Sequence, residues 1–483
     1  MAIWLVAIVV TLLVGIALFL HFWVLPQIDN YRKDIEIFAS RVTEHKVHIG
    51  QIQADWKGIN PQLILRNIVL FDRESRKALV LNNSEVTLSW LSIPLLEPHL
   101  ANLTLHDPHL TIRRTLNGDI FVAGILIPKN QKPTLSNWLL RQSSIALHHA
   151  SVEWIDEQRS APLLQFTQLE FLLERPAWKG LLEQHYFYLQ ARASAITAHP
   201  ILLSGTFYGD ELDQLKAWRG EVDVQLLATE LSAVQPWWDR PLTISNFFGD
   251  IKLNMRFANK SLRSASGEID ISKLNLPHLN GDFSLKGRLA WQPLDTEGYR
   301  LDLYKVMLKN AQGLMVEDLS GHYEQKGAQQ VSATIRLAHM DAALLLDYQM
   351  PSAWLNAFGT AQWSGRLNNV TLNWQDATNY RLEFEFEKLS TSALMMSTQL
   401  QIPELNNFTG KLTATQSGGV LSLNTDTAQV YAKNQLRWPL VIEHLQGDVQ
   451  WVFGTESITV KTDNLSLSTP QLKLNLTGQY QNN

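Results

Sequence analysis

Residues 381–387 read RLEFEFE, a pattern that recurs along much of the chain. Leu382, Phe384 and Phe386 alternate with charged neighbours, so their side chains point to one side of an extended backbone. Strict alternation predicts a β-strand with one apolar face and one solvated face. The candidate apolar positions of this kind are Val86, Leu88, Trp90, Leu103, Leu105, Ile251, Leu253, Leu301, Leu303, Phe384, Phe386, Leu472 and Leu474.

Helical patterns are too few to cover the apolar face of these strands. They occur at residues 135–142, 232–239 and 352–358. Hairpin turns are predicted at Asn117-Gly118, Asn368-Asn369 and residues 417–419, which favours antiparallel pairing. An apolar sheet face must be buried, and two packed sheets are the general solution for an all-β chain.

A curled sheet with an apolar groove is the alternative that we favour. The long run without helices, a weak glycine repeat and a neighbouring membrane segment support it. The repeat places Gly249, Gly281, Gly410 and Gly447 before alternating residues, although glycine-containing hairpins would look similar. The predicted fold is therefore mostly β: an N-terminal transmembrane helix, then a long, curled, largely antiparallel β-sheet forming an apolar groove, with a few short helices.

The first 25 residues form an apolar segment. Between Ile3 and Leu25 there is no Asp, Glu, Lys or Arg, and the length suffices to cross a hydrocarbon core about 30 Å thick. The bulky residues before Pro26 do not resemble a cleavage site, so we predict an uncleaved anchor rather than a removed signal peptide. No Lys or Arg precedes the segment, so charge does not specify its orientation. The predicted anchor residues are Ile3, Leu5, Leu12, Leu18, Phe22 and Trp23.

An amphipathic helix is predicted over residues 27–44. Ile28, Tyr31, Ile35, Phe38 and Val42 recur at helical spacing within it. This helix either caps the first sheet or lies on the membrane surface. We divide the chain into an anchor, the amphipathic helix with a first β segment, a β segment with short helices, and a repetitive β segment, at residues 1–25, 26–130, 131–240 and 241–483.

Composition excludes several function classes. The 483 residues carry a net charge of −5, which gives no basic field for nucleic acid, and they include no cysteine. Disulfides, thiolate metal sites and a cysteine nucleophile are therefore excluded. Sixteen tryptophans suggest large apolar surfaces or membrane-interface positions. Metalloprotease, serine hydrolase and nucleotide-binding motifs are absent, so we expect neither enzymatic activity nor a cofactor.

The residues that could carry chemistry have plainer interpretations. The histidine groups 45/48 and 99/106/109 lie near turns or element ends without a complete set of metal ligands. His148 and His149 are expected in a loop or at a strand start. The carboxylates of Glu383, Glu385 and Glu387 are expected on the solvated side of a strand.

Several segments resemble the YhdP family of AsmA-like envelope proteins. They are residues 25–32 (LPQIDNYR), 47–58 (VHIGQIQADWKG), 60–63 (NPQL), 138–142 (WLLRQ) and 152–154 (VEW). The resemblance implies a bacterial inner-membrane anchor, a body in the periplasm and a long β-groove. It further implies a bridge-like role in carrying phospholipid towards the outer membrane.

The chain departs from the family in its length. Family members are typically much longer, and this chain stops after an alternating strand whose edge would stay open. A truncated form, half of a split gene or a short member needing a partner would explain this. The expected partners are phospholipid, the inner membrane, and outer-membrane or other envelope proteins or a second chain completing the groove at the C-terminal edge; no nucleic acid is expected.

Two functions therefore remain open at the level of sequence. The first is a lipid conduit that holds acyl chains on the apolar face. The second is an assembly factor that binds outer-membrane proteins by β-augmentation at an exposed strand edge.

Overall fold

The computed structural model describes residues 4, 11, 14–72, 75–90, 92, 97–127, 134–176, 183–237, 246–275, 282–294, 298–313, 315–327, 330–345, 362–376, 378–395, 401–432, 436–454 and 457–482. The chain divides into two compact units. Unit 1 holds residues 1–241 and 252–262, and unit 2 holds residues 242–251 and 263–483. Both units are mostly β and largely antiparallel, as predicted. The predicted helix at 352–358 and the predicted repeat residue Gly281 lie outside the described residues.

The N-terminal region of unit 1 is helical. Residues 14–19 are α-helical, Leu20–Val24 form a π-helical turn, Leu25–Tyr31 form a 3₁₀ segment, and helix α1 spans Arg32–Thr43. No helix within the described residues is both long enough and apolar enough to cross a membrane.

The anchor stays a prediction. Ile3, Leu5 and Leu12 lie outside the described residues. Leu18, Phe22 and Trp23 are described, and they are 52%, 72% and 67% exposed.

Helix α1 and the 3₁₀ segment before it cover the first strands of unit 1. Ile28, Ile35 and Ala39 pack against an apolar cluster that includes Ile49. The Glu36 carboxylate accepts a hydrogen bond of 2.7 Å from the Ile49 amide, which fixes the helix to the strand edge. This face of the helix therefore caps the first sheet, which is one of the two predicted arrangements.

Two residues of the predicted apolar face are not covered by the sheet. Tyr31 and Phe38 remain exposed. The 3₁₀ geometry between Leu25 and Tyr31 interrupts the 3.6-residue period on which the prediction relied.

Unit 1 contains one main sheet and a small ribbon. Its strands are β1 (Val47–Lys57), β2 (Asn60–Phe71), β3 (Lys77–Leu88), β4 (Leu100–His106), β5 (His109–Arg114), β6 (Ile120–Val122), β7 (Ile125–Ile127), β8 (Ser144–Asp156), β9 (Leu164–Glu174), β10 (Gln184–Arg192), β11 (Ile201–Tyr208) and β12 (Arg219–Glu230). Helix α2 spans Thr134–Leu140, and 3₁₀ segments span Leu212–Gln214 and Leu231–Trp237. These helical segments confirm two of the three predicted interruptions.

Nine strands of unit 1 pair in the order β1-β2-β3-β4-β8-β9-β10-β11-β12. Strand β8 pairs in parallel with both β4 and β5, and the other pairs in this order are antiparallel. The parallel pairing is possible because the β5–β7 ribbon and α2 provide the long crossover that parallel neighbours require.

Unit 2 is a meander in which successive long strands pair. Strand β13 (Phe247–Ala258) is divided between the units at residues 251 and 252. The following strands are β14 (Ser261–Asn275), β15 (Asp282–Leu294), β16 (Gly298–Asn310), β17 (Met315–Lys326), β18 (Gln330–Asp341), β19 (Trp363–Asp376), β20 (Asn379–Thr391), β21 (Leu394–Met395), β22 (Gln401–Ile402), β23 (Glu404–Thr415), β24 (Gly418–Tyr431), β25 (Leu440–Phe453), β26 (Ile458–Ser468) and β27 (Lys473–Asn482). Short strands β21 and β22 pair only with each other among the described residues, and a 3₁₀ segment spans Ala342–Leu345.

Two local predictions were wrong because bulges resemble turns in sequence. Asn368-Asn369 lies inside β19, where Asn369 takes a left-handed conformation (φ 53°) at a register shift instead of a hairpin turn. His148-His149 lies inside β8, where His149 (φ 53°) is part of a second bulge. By contrast, turns form as predicted at Gly118 and before Gly418.

Candidate functional site

The main sheet of unit 1 has one continuous apolar face, defined by two rows of directly opposed residues. The first row is Ile52, Leu65, Ser84, Leu105, Leu147, Phe171, Leu189, Leu203 and Val224. The second row is Ala54, Leu63, Val86, Leu103, Ile145, Leu173, Phe187, Gly205 and Val222. Because directly opposed residues share a face, both rows lie on the same side of nine strands.

Most side chains of these rows are only half-buried. Leu63, Leu65 and Ile145 are buried, whereas Leu105, Leu189 and Leu203 retain intermediate exposure. Ser84 is the polar exception, since its hydroxyl is buried without a hydrogen-bond partner among the described residues. The face is therefore an extended apolar surface that intrachain contacts cover incompletely.

Unit 2 has an equivalent apolar face. One row crosses twelve strands and consists of Gly267, Leu289, Leu303, Gly321, Ile335, Leu372, Leu382, Ala414, Gly419, Trp451, Val460 and Tyr480. A shorter row beside it holds Phe384, Leu412, Leu421 and Val449. Phe384, Leu412 and Leu421 pack around a buried cluster that includes Phe386 and Leu367.

The opposite face of each sheet is polar. In unit 2, the Nζ atoms of Lys411 and Lys286 lie 2.6 Å from the carboxylates of Glu383 and Asp270. The hydrogen bond from Lys411 lowers the pKa of Glu383, and nearby Arg381 acts in the same direction. Glu383 therefore lies on the solvated side of its strand. In unit 1, Asp223 accepts a 2.8 Å hydrogen bond from Asn254 on this side.

The apolar positions predicted from the sequence fall into three groups: members of the rows above, residues elsewhere in the strands, and residues that differ from the predicted arrangement. Val86, Leu103, Leu105, Leu303 and Phe384 belong to the rows above. Leu301 lies in a further row with Trp291 and Tyr323. Two other positions, Phe386 and Ile251, are buried. Leu253 is half-buried within its strand, and Leu88 is half-buried at the end of its strand.

The remaining positions differ from the predicted arrangement. Trp90 lies beyond the end of β3, and its indole N–H donates a 3.0 Å hydrogen bond to the carbonyl of Ile59. Leu472 precedes β27, and both Leu472 and Leu474 are exposed.

The histidines form separate polar contacts. His148 Nδ1 lies 2.7 Å from a Glu170 oxygen, His106 stacks on His148 at 5.6 Å, and His48 lies 2.9 Å from Glu36. Within the part of the chain that the structure describes, no group of three or more His, Cys, Asp or Glu side chains is arranged to hold a metal ion.

Sequence reasoning missed a polar cleft of about 460 Å³ in unit 1. It lies where β9, β10, β11 and β12 end, between α2 and the 3₁₀ segment at 212–214. The lining residues are Glu97, Pro98, His99, Trp138, Arg141, Gln142, Arg175, Glu183, Gly209, Asp210, Glu211, Gln214, Ala217 and Trp218. Its one sequence signal is the segment at 138–142, which contributes Trp138, Arg141 and Gln142.

An aromatic chain connects this cleft to the apolar face. Phe187, in the second row, lies 6.2 Å from Phe207, and Phe207 stacks on Trp218 at 5.0 Å. The His185 imidazole also stacks on Phe207, with ring centroids 4.6 Å apart, and His185 is fully buried. Burial lowers the pKa of His185, although the Leu140 carbonyl and the nearby Asp210 carboxylate act in the opposite direction.

The fold and the apolar faces define a class of protein: largely antiparallel sheets with one extended, partly uncovered apolar face and one charged face. The sequence model of the family described as "YhdP protein" matches residues 1–483, and the chain therefore belongs to that family. This match confirms the family resemblance over the whole chain. No curated protein and no solved structure matches the chain.

Proposed function

We propose that this protein carries phospholipid along its apolar sheet faces from the inner membrane towards the outer membrane. The observation that supports the proposal is the succession of apolar residues perpendicular to the strands, most of them half-buried and interrupted by a polar side chain only at Ser84 among the rows described above. Acyl chains would lie along these rows, and headgroups would remain in water. Membership of the YhdP family supports the same role.

Binding of acyl chains to such a surface requires few specific contacts. Each CH₂ group removed from water stabilises a bound chain by about 0.8 kcal/mol. Because neighbouring positions along a row are chemically similar, a chain can move between them without losing that stabilisation. A passive surface of this kind gives no direction, so a gradient or a partner must supply it.

The proposal includes the inner membrane as the site of attachment and the periplasm as the location of both units. Leu18, Phe19, Phe22 and Trp23 form an exposed apolar and aromatic helical surface, which is typical of a segment in contact with lipid. The apolar residues between Ile3 and Leu25 extend it in sequence.

The assembly-factor function is the second candidate, and strand β27 favours it. Leu474, Leu476 and Tyr480 on this strand are exposed, and among the described residues β27 pairs with β26 alone. Such a strand could bind an envelope protein or a second chain by β-augmentation. Copurification of a protein partner without phospholipid would support this candidate.

Leu203 and Ser204 provide a matched test of lipid carriage. They are adjacent in β11, yet Leu203 lies in the first apolar row and Ser204 lies on the opposite face beside Asp223. The full chain carrying Leu203→Asp or Ser204→Asp would be isolated from bacterial envelopes, and its phospholipid measured by mass spectrometry. A carboxylate covered by an acyl chain is costly, so we expect about twofold or greater loss of bound phospholipid for Leu203→Asp. Equal lipid in the two variants would contradict the proposal.

A further inference from the structure

The polar cleft of unit 1 has an excess of negative charge. Four carboxylates and two guanidinium groups line it. Arg175 and Arg141 pair with Asp210 and Glu211 at 2.5 and 3.0 Å, so these four charges compensate one another. His99 adds no positive charge near neutral pH, because burial, assisted by Arg175, lowers its pKa.

Two carboxylates of the cleft, those of Glu97 and Glu183, are available to bind a ligand. Glu97 and Glu183 are exposed, and neither carboxylate pairs with any residue in the described part of the chain. Each can accept hydrogen bonds from an ammonium group. The guanidinium of Arg141 is 49% exposed, so it can also contact a phosphate while it holds Glu211.

The tryptophans of the cleft are fixed in orientation. The indole N–H of Trp138 donates to the Pro98 carbonyl at 3.2 Å, and that of Trp218 donates to the Glu211 carbonyl at 3.0 Å. Both indole rings line the cleft and add apolar surface beside its charged groups. A cation beside such a ring is stabilised by its quadrupole.

We infer that this cleft is a headgroup site for lipids that carry a primary ammonium group beside a phosphate. The inference rests on the proposed function, because the aromatic chain Phe187-Phe207-Trp218 links the cleft to the apolar rows. Acyl chains on the rows would place the headgroup at the strand ends, between Glu97, Glu183 and Arg141. An anionic lipid without the ammonium group would meet uncompensated carboxylates there.

Competition between two lipids tests this inference. Full-length protein in detergent would receive equal amounts of phosphatidylethanolamine and phosphatidylglycerol with identical acyl chains, and native mass spectrometry would count each bound lipid. We expect the ethanolamine lipid to be preferred about fivefold, since each of two exposed ion pairs contributes a factor of about 1.4 to 5. In Glu97→Gln with Glu183→Gln, we expect the preference to disappear while total bound lipid stays constant.

The control is Glu317→Gln with Glu404→Gln, which makes the same change in net charge at two exposed positions of unit 2. This variant should keep the wild-type preference. A wild-type protein that binds both lipids equally, or a cleft variant that keeps its preference, would overturn the headgroup site and leave lipid carriage intact. A wild-type protein that binds neither lipid would overturn lipid carriage itself.

Free ethanolamine distinguishes a lipid headgroup site from a site for small amines. It carries the ammonium group but no acyl chain. Added at the lipid concentration, it should displace no phosphatidylethanolamine. Displacement of the lipid at that concentration would assign the cleft to a free amine and overturn the inference.

Discussion

Phe386 lies directly opposite Gly410 on the neighbouring strand of unit 2. A Cβ atom at Gly410 would approach the Phe386 Cζ atom to 2.8 Å, closer than carbon atoms pack. The same relationship occurs in unit 1, where a Cβ at Gly205 would come within 2.9 Å of Phe187 Cε1. At Gly205 and Gly410, as at Gly419 beside Trp451, glycine therefore provides space for an aromatic ring of the adjacent strand.

Gly410→Val should destabilise unit 2, because the added side chain displaces the Phe386 ring and approaches the backbone of β24. Overpacking of this kind costs about 1–3 kcal/mol. The urea midpoint of the full chain, followed by tryptophan fluorescence, would measure the loss. Gly478→Val is the matched control, since nothing lies within 4 Å of an added Cβ at Gly478. Equal midpoints for the two variants would show that Phe386 does not depend on the space at Gly410.

Asp156→Ala should be strongly destabilising. Asp156 is 1% exposed and accepts hydrogen bonds from Arg114, which is itself largely buried, and from Arg159 at 3.3 Å. Its removal leaves a buried guanidinium unpaired, at a cost of about 3–5 kcal/mol. Thermal unfolding would measure this cost.

The adjacent residue provides the control for that prediction. Glu157 pairs with the exposed Arg113 at 2.7 Å, so Glu157→Ala should lower the unfolding temperature much less than Asp156→Ala. If the two alanine variants unfold at the same temperature, the Asp156 pair is not the buried ion pair described above.

Buried His185 predicts how stability depends on pH. Burial lowers its folded pKa below the ordinary value of 6.5, although the Leu140 carbonyl 2.7 Å away opposes the shift. Just below pH 6.5, the unfolded chain therefore binds more protons than the folded protein. The stability contributed by neutral, buried His185 is lost as pH falls towards its lowered folded pKa. In His185→Gln, unfolding temperatures should depend less on pH in this window. An unchanged pH dependence of the unfolding temperature in His185→Gln would contradict this assignment.

The alternation in the sequence predicted the faces of strands but not their long-range arrangement. Residues 381–387 form part of β20 as expected, with Phe384 on the apolar side and Glu383 paired with Lys411 on the other. The bulge at Asn369 was not predictable in this way, because Asn adopts the left-handed conformation equally well in turns and bulges. One inserted residue then changes which later side chains share a face.

The polar cleft could not be predicted, because it depends on the parallel pairing of β4 with β8. That pairing brings His99 to Ser143, and the following strands add Arg175 and Trp218. Nothing in the local sequence of these segments specifies a parallel neighbour. Trp138 and Arg141 lie in a predicted helix and in a segment that resembles the family's sequence, but their contacts with Pro98 and Glu211 are tertiary and were not predicted.

Site-specific photo-crosslinking to phospholipid in living cells tests lipid carriage most directly. A photoreactive residue would replace Leu203 or Ser204 in unit 1, and Leu303 or Tyr304 in unit 2, four positions in two adjacent pairs. Leu203 and Leu303 lie in the apolar rows, whereas Ser204 and Tyr304 lie on the opposite faces. Lipid carriage predicts phospholipid adducts at 203 and 303 at several times the yield found at 204 and 304. Equal yields within each pair, or no lipid adduct at 203 and 303, would contradict it.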